Sequence, residues 1–312
     1  MSNRRFPPPA RRHRRDRHAA TDEKPPVRAQ SARLCWGNCH FFRTFAFRNV
    51  YVEIMKKEKL TIVKVGGKIV EDAASLARLV HDFSAVEGHK LLVHGGGRTA
   101  TDMAARLGVE TVMIDGRRVT DAEMLRVVTM VYGGLVNKNV VAALQACGVN
   151  ALGLTGADMD VIRSHRRPAG KVDYGFVGDV DAVDGGRLAA LIASGIVPVM
   201  APLTHDGAGQ LLNTNADTIA GETAKALAAH FDVTLIFCFE HAGVLRAADD
   251  ESSVIPHIDR KTFDEIVGNG IVSGGMIPKL QNCLAAVEAG VRRVIITRAD
   301  AIADNTGTVV SA

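Results

Sequence analysis

The sequence has no uninterrupted apolar run long enough to cross a bilayer, so nothing in it asks for a lipid environment. It has only five cysteines in 312 residues. Cys147, Cys238 and Cys283 lie in apolar or helical stretches without paired spacing, which excludes a disulfide framework and predicts buried free thiols in a reducing, cytoplasmic setting. Cys35 with Cys39-His40 has the spacing of half a zinc site, but no second half follows. The pattern G-x-x-x-x-G-K-[ST] is absent, which argues against a P-loop NTPase. A secretory signal's single apolar core is absent as well. Basic charge is scarce where it would matter. Residues 1–54 hold 12 Lys and Arg against 4 Asp and Glu, and the rest of the chain holds 26 against 30. The overall net charge of +4 therefore belongs to the N-terminal segment, and the remainder gives no reason to expect nucleic acid as a partner.

That N-terminal segment is rich in Arg and Pro and shows no apolar period, so it cannot bury enough surface to offset chain entropy. Residues 1–55 are expected to be a disordered extension, or sequence upstream of a true start at Met55; an Arg-rich functional tail is the alternative. From residue 56 the pattern changes. Strand-like runs at Leu60–Val65, Lys90–His94, Asn150–Leu154, Ile196–Met200, Val233–Cys238 and Arg293–Thr297 alternate with helical spacing. The helical stretches are Asp72–Val86, Arg98–Leu107, Asp121–Ala146 (broken near Gly133-Gly134), Leu188–Ser194, Thr218–Phe231 and Pro278–Ala289. Residues 161–180 read as a β-hairpin turning at Pro168-Ala169-Gly170. This rhythm predicts an α/β fold, with a mainly parallel sheet covered by helices on both faces. In such sheets ligands bind at the carboxyl ends of the strands.

Glycine clusters sit at those ends. "VKVGGK" places Lys64, Gly66 and Gly67 after the first strand, and "VHGGGR" places Gly95, Gly96 and Gly97 after the second. Glycine lets backbone N–H groups approach an anion closely. Gly95–Ala100 also fits G-x-G-x-x-A, with Asp115 at a suitable distance downstream, so a dinucleotide site, another anion cradle and a bare tight turn all stand at this point. Later motifs narrow the choice. "GRRVTDAEM" carries Arg117 and Arg118 before a helix capped by Thr120, "LLNTNADTIAGETA" puts Asn213, Asn215 and Asp217 at a helix start, and "GIVSGGMIPKLQNC" does the same for Gly274, Gly275 and Lys279. Lysines, an arginine, a carboxylate and glycine turns are what a phosphoryl transfer between two anions requires. Cations must act where charge is spread in flight, and two lysines from opposite ends of a site could clamp an in-line transfer with Asp217 holding both.

In this order, "VKVGG", "HGGG", "GRRVT", "VNK" (Val136–Lys138), "VGDV" (Val177–Val180), "LLNTNAD" and "SGGMIPK" make residues 59–310 resemble the N-acetylglutamate kinases of the amino acid kinase family. The resemblance implies a three-layer αβα sandwich in two lobes, with residues 56–230 binding the acyl amino acid and dimerising and residues 231–312 binding nucleotide. It implies phosphoryl transfer from ATP, as its Mg²⁺ complex, to the side-chain carboxylate of N-acetyl-L-glutamate in arginine biosynthesis, in a homodimer or higher homo-oligomer. Lys64 and Lys279 match the transition-state lysines and Asp217 their orienting carboxylate. Gly96, Gly97, Arg118 and Asn213 match acceptor-binding positions. Gly66, Gly67, Gly274 and Gly275 match positions beside the nucleotide, and Glu240–Leu245, with Glu240 and Gly243, matches the nucleotide loop. No resident metal site is expected. A non-catalytic ligand sensor is the alternative of another class, and the presence of both lysines argues against it.

The sequence departs from that pattern at Phe239-Glu240, where Ser or Thr before Asp is common, at Met159 where Gly is frequent, and at Gly133 and Leu135. None of these is expected to touch the two lysines or Asp217. Gly133 either lets two helices pack closely or opens room near the acyl group; in the second case Arg98 or Arg117 could meet a second carboxylate, which would suit N-succinyl-L-glutamate instead.

Overall fold

The computed structural model describes residues 57–312 apart from 248, 303 and 305; the readings of residues 1–55, including Cys35 and Cys39-His40, lie outside them. The backbone is built around an eight-stranded sheet in the order β12-β14-β13-β11-β1-β2-β8-β5. Its central members are β1 (Lys59–Val65), β2 (His89–His94), β8 (Val197–Met200), β5 (Ala151–Leu154), β11 (Asp232–Phe239) and β13 (Arg293–Arg298). The pairings among these six are parallel. They carry the near-continuous apolar runs that a sheet buried on both faces demands. At the edge, β12 (His257–Ile258) pairs in parallel with β14 (Thr308–Val310), which runs against its other neighbour β13. The sheet is continuous across position 230, because β1 lies between β2 and β11.

Each face of the sheet has its own core. Leu60, Ile62, Leu91, Val93, Leu235 and Phe237 pack beneath α6 (Gly185–Ala193), α7 (Ala216–Leu227), α8 (Arg260–Gly268) and α9 (Met276–Glu288). Val63, Val65, Leu92 and Ile236 pack beneath α2 (Ala73–Ala85), α3 (Gly97–Arg106), α4 (Ala122–Val128) and α5 (Asn137–Ala146). The two-residue period of β1 thus sends Lys64 to the same face as Leu60 and Ile62, under the N-terminus of α7. Short helix α1 (Gly67–Glu71) follows β1 directly. Caps fall where short polar residues stand: Asp72, Asp121, Asp184, Asn215 and Asp259 each accept a backbone N–H of the helix that follows.

Several sequence expectations need correction. Thr120 does not cap α4; Asp121 does, and the Thr120 hydroxyl instead donates to the Arg118 carbonyl. The long helical stretch is not broken at Gly133-Gly134 but loosened into π-helical turns over Thr129–Val136, continuous with α4 and α5. Ala122–Ala146 is therefore one helix long and apolar enough to cross a membrane by composition, and its Met124, Val127, Val128, Val131, Val140 and Leu144 are buried in the protein core. The expected hairpin exists as β6 (Ile162–Arg166) and β7 (Gly178–Val183), but residues 167–177 separate the strands where a tight turn is expected. Cys147 is exposed, unlike Cys238 and Cys283.

Candidate functional site

Both glycine turns leave the carboxyl ends of adjacent central strands, and they touch each other. A Cβ on Gly67 would lie 3.0 Å from the Gly96 nitrogen and 3.1 Å from the Gly97 nitrogen. The two turns can meet this closely only because Gly67 and Gly95 have no side chain: a Cβ on Gly95 would approach the Gly67 nitrogen to 2.8 Å. The ring of Tyr132, in the π-helical segment, closes the other side of Gly96, where a Cβ would meet its Cδ1 at 2.9 Å. Glu71 ties the turns together from behind by accepting from the Thr99 backbone N–H at 2.9 Å.

A buried network sets the orientation of the second turn. His94 is fully enclosed; burial pushes its pKa down to about 4, so the ring is neutral at ordinary pH. Nδ1 lies 2.7 Å from the Gly95 carbonyl, which can only accept, so the proton sits on Nδ1. Nε2 must then accept, and Asn137 Nδ2 donates to it at 3.1 Å while also donating to the Val199 carbonyl at 2.9 Å. Lys138 donates to Asn137 Oδ1 and to the Gly153 carbonyl. The "HGGG" and "VNK" motifs are thus one hydrogen-bonded unit. Because the folded protein holds His94 far below its unfolded pKa, this contribution to stability is complete above about pH 6.5 and is lost as pH falls toward 4. Urea denaturation should show a loss of about 2 kcal/mol between pH 7 and pH 5 that His94→Gln largely lacks. An equal pH dependence in the variant would remove His94 as the cause.

Above the "HGGG" turn lies a cavity of about 230 Å³ lined by Gly95, Gly96, Gly97, Arg118, Tyr132 and Asn213 among others. A tight hairpin roofs it. β3 (Met113–Ile114) and β4 (Arg117–Arg118) pair around Asp115-Gly116, whose φ values of 48° and 72° are those of a two-residue type I′ turn. Asp115 is therefore a turn residue, not the ribose-binding carboxylate of a dinucleotide fold. Arg118 is 8% exposed, and its guanidinium donates to the Gly97 carbonyl and Thr101 Oγ1, both at 2.8 Å, and more weakly to Thr111 Oγ1. Among the described residues none of these partners carries charge, so a buried cation faces the cavity uncompensated. Asn213 lines the same cavity and donates to Thr120 Oγ1 at 2.9 Å.

Two further cavities continue from the first. One of about 510 Å³ shares Gly116, Arg117 and Asn215 with it and runs between α7 and α9. The other, of about 570 Å³, shares Asp217, Phe239 and Lys279 with the second and is also lined by Lys64, Gly66, Gly67, Lys68 and Glu240. At their junction Lys64 Nζ is 2.7 Å from Asp217 Oδ1. Asp217 sits in the first turn of α7, where the helix dipole attracts negative charge. It does not hold both lysines: Lys279 Nζ lies over the Phe239 ring, 4.3 Å from its centroid, and Lys64 Nζ is 5.9 Å from the same centroid.

The remaining sequence candidates separate into two groups. Gly66 and Gly67 border the third cavity, and Gly275 borders the second as the residue capping α9. Glu240 pairs with Lys68 at 2.8 Å across the mouth of the third cavity, and that ammonium holds its carboxyl below the usual range. Gly243 and Gly274 line none of these cavities. Gly243 is buried against Thr308 and Val254, each 2.7 Å from where its Cβ would be, and Gly274 is a left-handed turn residue with φ 58°. The departure residues are also placed. Phe239 does touch the lysines, against expectation. Gly133 faces Leu203 and Thr155 rather than the cavity, so it serves packing and adds no room around a ligand. Met159 holds a left-handed φ of 54°, which explains why glycine suits that position. The sequence reading missed Tyr132 and Glu71; the Gly133-Gly134 pair was the one available signal, since π-helical turns concentrate at functional sites.

Comparison with known proteins adds an independent line. Residues 59–298 match the model of the amino acid kinase family. The acetylglutamate kinase of Phocaeicola vulgatus is 68% identical over 254 residues, covering 81% of this chain and 99% of that protein. The acetylglutamate kinase of Bacteroides thetaiotaomicron is 67% identical over 252 residues, covering 81% and 98%. Among solved structures, smu.665 of Streptococcus mutans UA159 superimposes with a TM-score of 0.67 at 28% identity, covering 81% of this chain and 98% of that one.

Proposed function

The chain belongs to the amino acid kinase family, and we propose that it transfers the γ-phosphoryl group of ATP to the side-chain carboxylate of N-acetyl-L-glutamate, forming N-acetylglutamyl 5-phosphate for arginine biosynthesis. One observation carries the assignment of the site. A buried arginine that has no charged partner among the described residues stands at one end of a run of cavities, a pair of converging lysines stands at the other, and two touching glycine turns lie between.

Arg118 and Asn213 bind the α-carboxylate and amide end of the acceptor, and the Gly96 and Gly97 amides hold its reacting end. Its side-chain carboxylate is already ionised and needs no general base. One of its oxygens forms the new bond to Pγ, the bond from Pγ to the bridging oxygen breaks, and the electron pair leaves on the β-phosphate of ADP. Lys64 and Lys279 stabilise the charge that spreads over the phosphoryl oxygens, while Asp217 holds Lys64. Gly66, Gly67 and Gly275 admit the phosphates closely. Glu240 borders the nucleotide, and Gly243 and Gly274 shape its loops from behind. Mg²⁺ enters with ATP, held mainly by phosphate oxygens and water. Residues 56–230 form the acceptor lobe and residues 231–312 the nucleotide lobe of a cytoplasmic homodimer or higher homo-oligomer. Exposed apolar Met130, Leu135 and Leu152 offer surface for that association.

Acetyl is favoured over succinyl as the acyl group, because the relatives at 64–68% identity are named acetylglutamate kinases and Gly133 opens no space in the cavity. A coupled ADP-release assay with N-acetyl-L-glutamate, N-succinyl-L-glutamate and L-glutamate tests this. The acetyl substrate should give the highest kcat/KM. Absence of acceptor-dependent ADP release would refute the kinase assignment, and a succinyl preference would refute the acyl group.

A further inference from the structure

The carboxylate at the junction of the cavities serves one lysine, which leaves the other to be explained. Lys279 projects from the first turn of α9, a helix carrying no acidic residue there, and among the described residues it has no carboxylate partner. Its ammonium instead sits over the face of Phe239 at 4.3 Å from the centroid, well inside the range of cation–π attraction. The ring is itself fixed. Phe239 lies at the end of β11, and Phe237, two residues earlier on the same face and level with Lys64 in register, stacks against it at 6.1 Å and 19°. Lys64 Nζ reaches the same ring from the other strand at 5.9 Å.

We propose that Phe239 is a positioning residue for Lys279: its ring face holds the ammonium over the transfer site without neutralising it. The inference rests on the assignment of Lys279 to the transition state. A carboxylate in the same place would occupy one of the three N–H groups and cancel the charge that the phosphoryl oxygens need. An aromatic face attracts the cation through its quadrupole and leaves the N–H groups free to point elsewhere. Ser or Thr at this position, the common pattern, offers no such face.

The test replaces Phe239 by 4-fluoro-, 3,5-difluoro- and 3,4,5-trifluorophenylalanine, which drain the ring face stepwise while hardly changing its size. Phosphoryl transfer is read in a single turnover with saturating ATP and N-acetyl-L-glutamate. The rate should fall stepwise by about tenfold in all, which converts to about 1.4 kcal/mol, with KM for the acceptor and the thermal midpoint unchanged. Phe239→Leu should lose at least as much, and Phe239→Tyr should retain most of the rate. In a Lys279→Ala background the fluorine series should be flat. A flat series in the otherwise unaltered protein, together with a large loss from Lys279→Ala, would overturn the role of the ring and leave that of the lysine standing. A series that stays steep without Lys279 would assign the ring to another partner and equally overturn the proposal. Near-normal transfer by Lys279→Ala would overturn the underlying assignment itself.

Discussion

Lys64→Ala and Lys279→Ala should each lower kcat by at least about 10²-fold with little change in either KM, because each ammonium acts mainly on charge that exists only in flight. Lys64→Ala should be the more damaging. Lys64 is paired at 2.7 Å with Asp217, whose side chain is 30% exposed toward the cavity. Removing the lysine leaves that carboxylate facing the incoming phosphates and adds repulsion to the lost attraction. Among the described residues Lys279 has no such partner, so its removal costs the attraction alone. The double variant should fall short of the product of the two single effects, since residues that act on one charge are not additive. Steady-state kinetics with varied ATP and acceptor checks all three statements. A near-normal kcat in either single variant would remove that lysine from the chemistry.

Arg118→Ala should lower kcat/KM for N-acetyl-L-glutamate by about 10²–10³-fold and leave KM for ATP within about twofold. A charge-assisted, buried hydrogen-bonded pair is typically worth about 2–4 kcal/mol when one partner is removed, because the other is left desolvated and alone. Arg118 combines burial, neutral partners and a place in the cavity wall, so the acceptor's carboxylate is the charge it lacks. Arg118→Lys should recover little. A lysine cannot reproduce the planar fork that reaches the Gly97 carbonyl and Thr101 Oγ1 while still presenting donors to a ligand. Because the arginine also braces Gly97, part of the loss should appear in kcat. Equal weakening of ATP and acceptor would show that the residue supports the fold around both cavities and does not bind the acceptor.

The central strands, both glycine turns and the helices over the sheet other than α8 were legible because their signals are local. β1 and β2 are apolar runs ending in glycine, and the start of α7 follows from Asn215, whereas the cap of α4 falls on Asp121 and not on Thr120. The Asp-Gly step at residues 115–116 carries the signal of its type I′ turn, but Asp115 enters the sequence reading only as a ribose-binding carboxylate. Smaller elements were not legible. β12 (His257–Ile258) and β14 pair with each other across some fifty residues, β9 (Leu203–His205) and β10 (Leu211–Asn213) have three residues each, and strands this short owe their existence to partners rather than to their own pattern.

The site divides along the same line. Which residues are lysine, arginine, aspartate and glycine, and which strand end or helix start carries each, was determined by the sequence alone, since position within an element follows from period and caps. What each side chain faces was decided only by the tertiary structure. Asp217 could have met either lysine, and the packing of α7 over β1 gives it Lys64. Phe239 was not expected to touch the lysines, and the packing of α9 against α7 and β13 brings Lys279 over its ring. Gly133 could have served helix packing or made space for a ligand, and the π-helical turns aim it at Leu203. In each case the deciding quantity is the orientation of one backbone segment against another that is distant in the chain. No single segment encodes that orientation, because it is set by how both faces of the sheet pack at once.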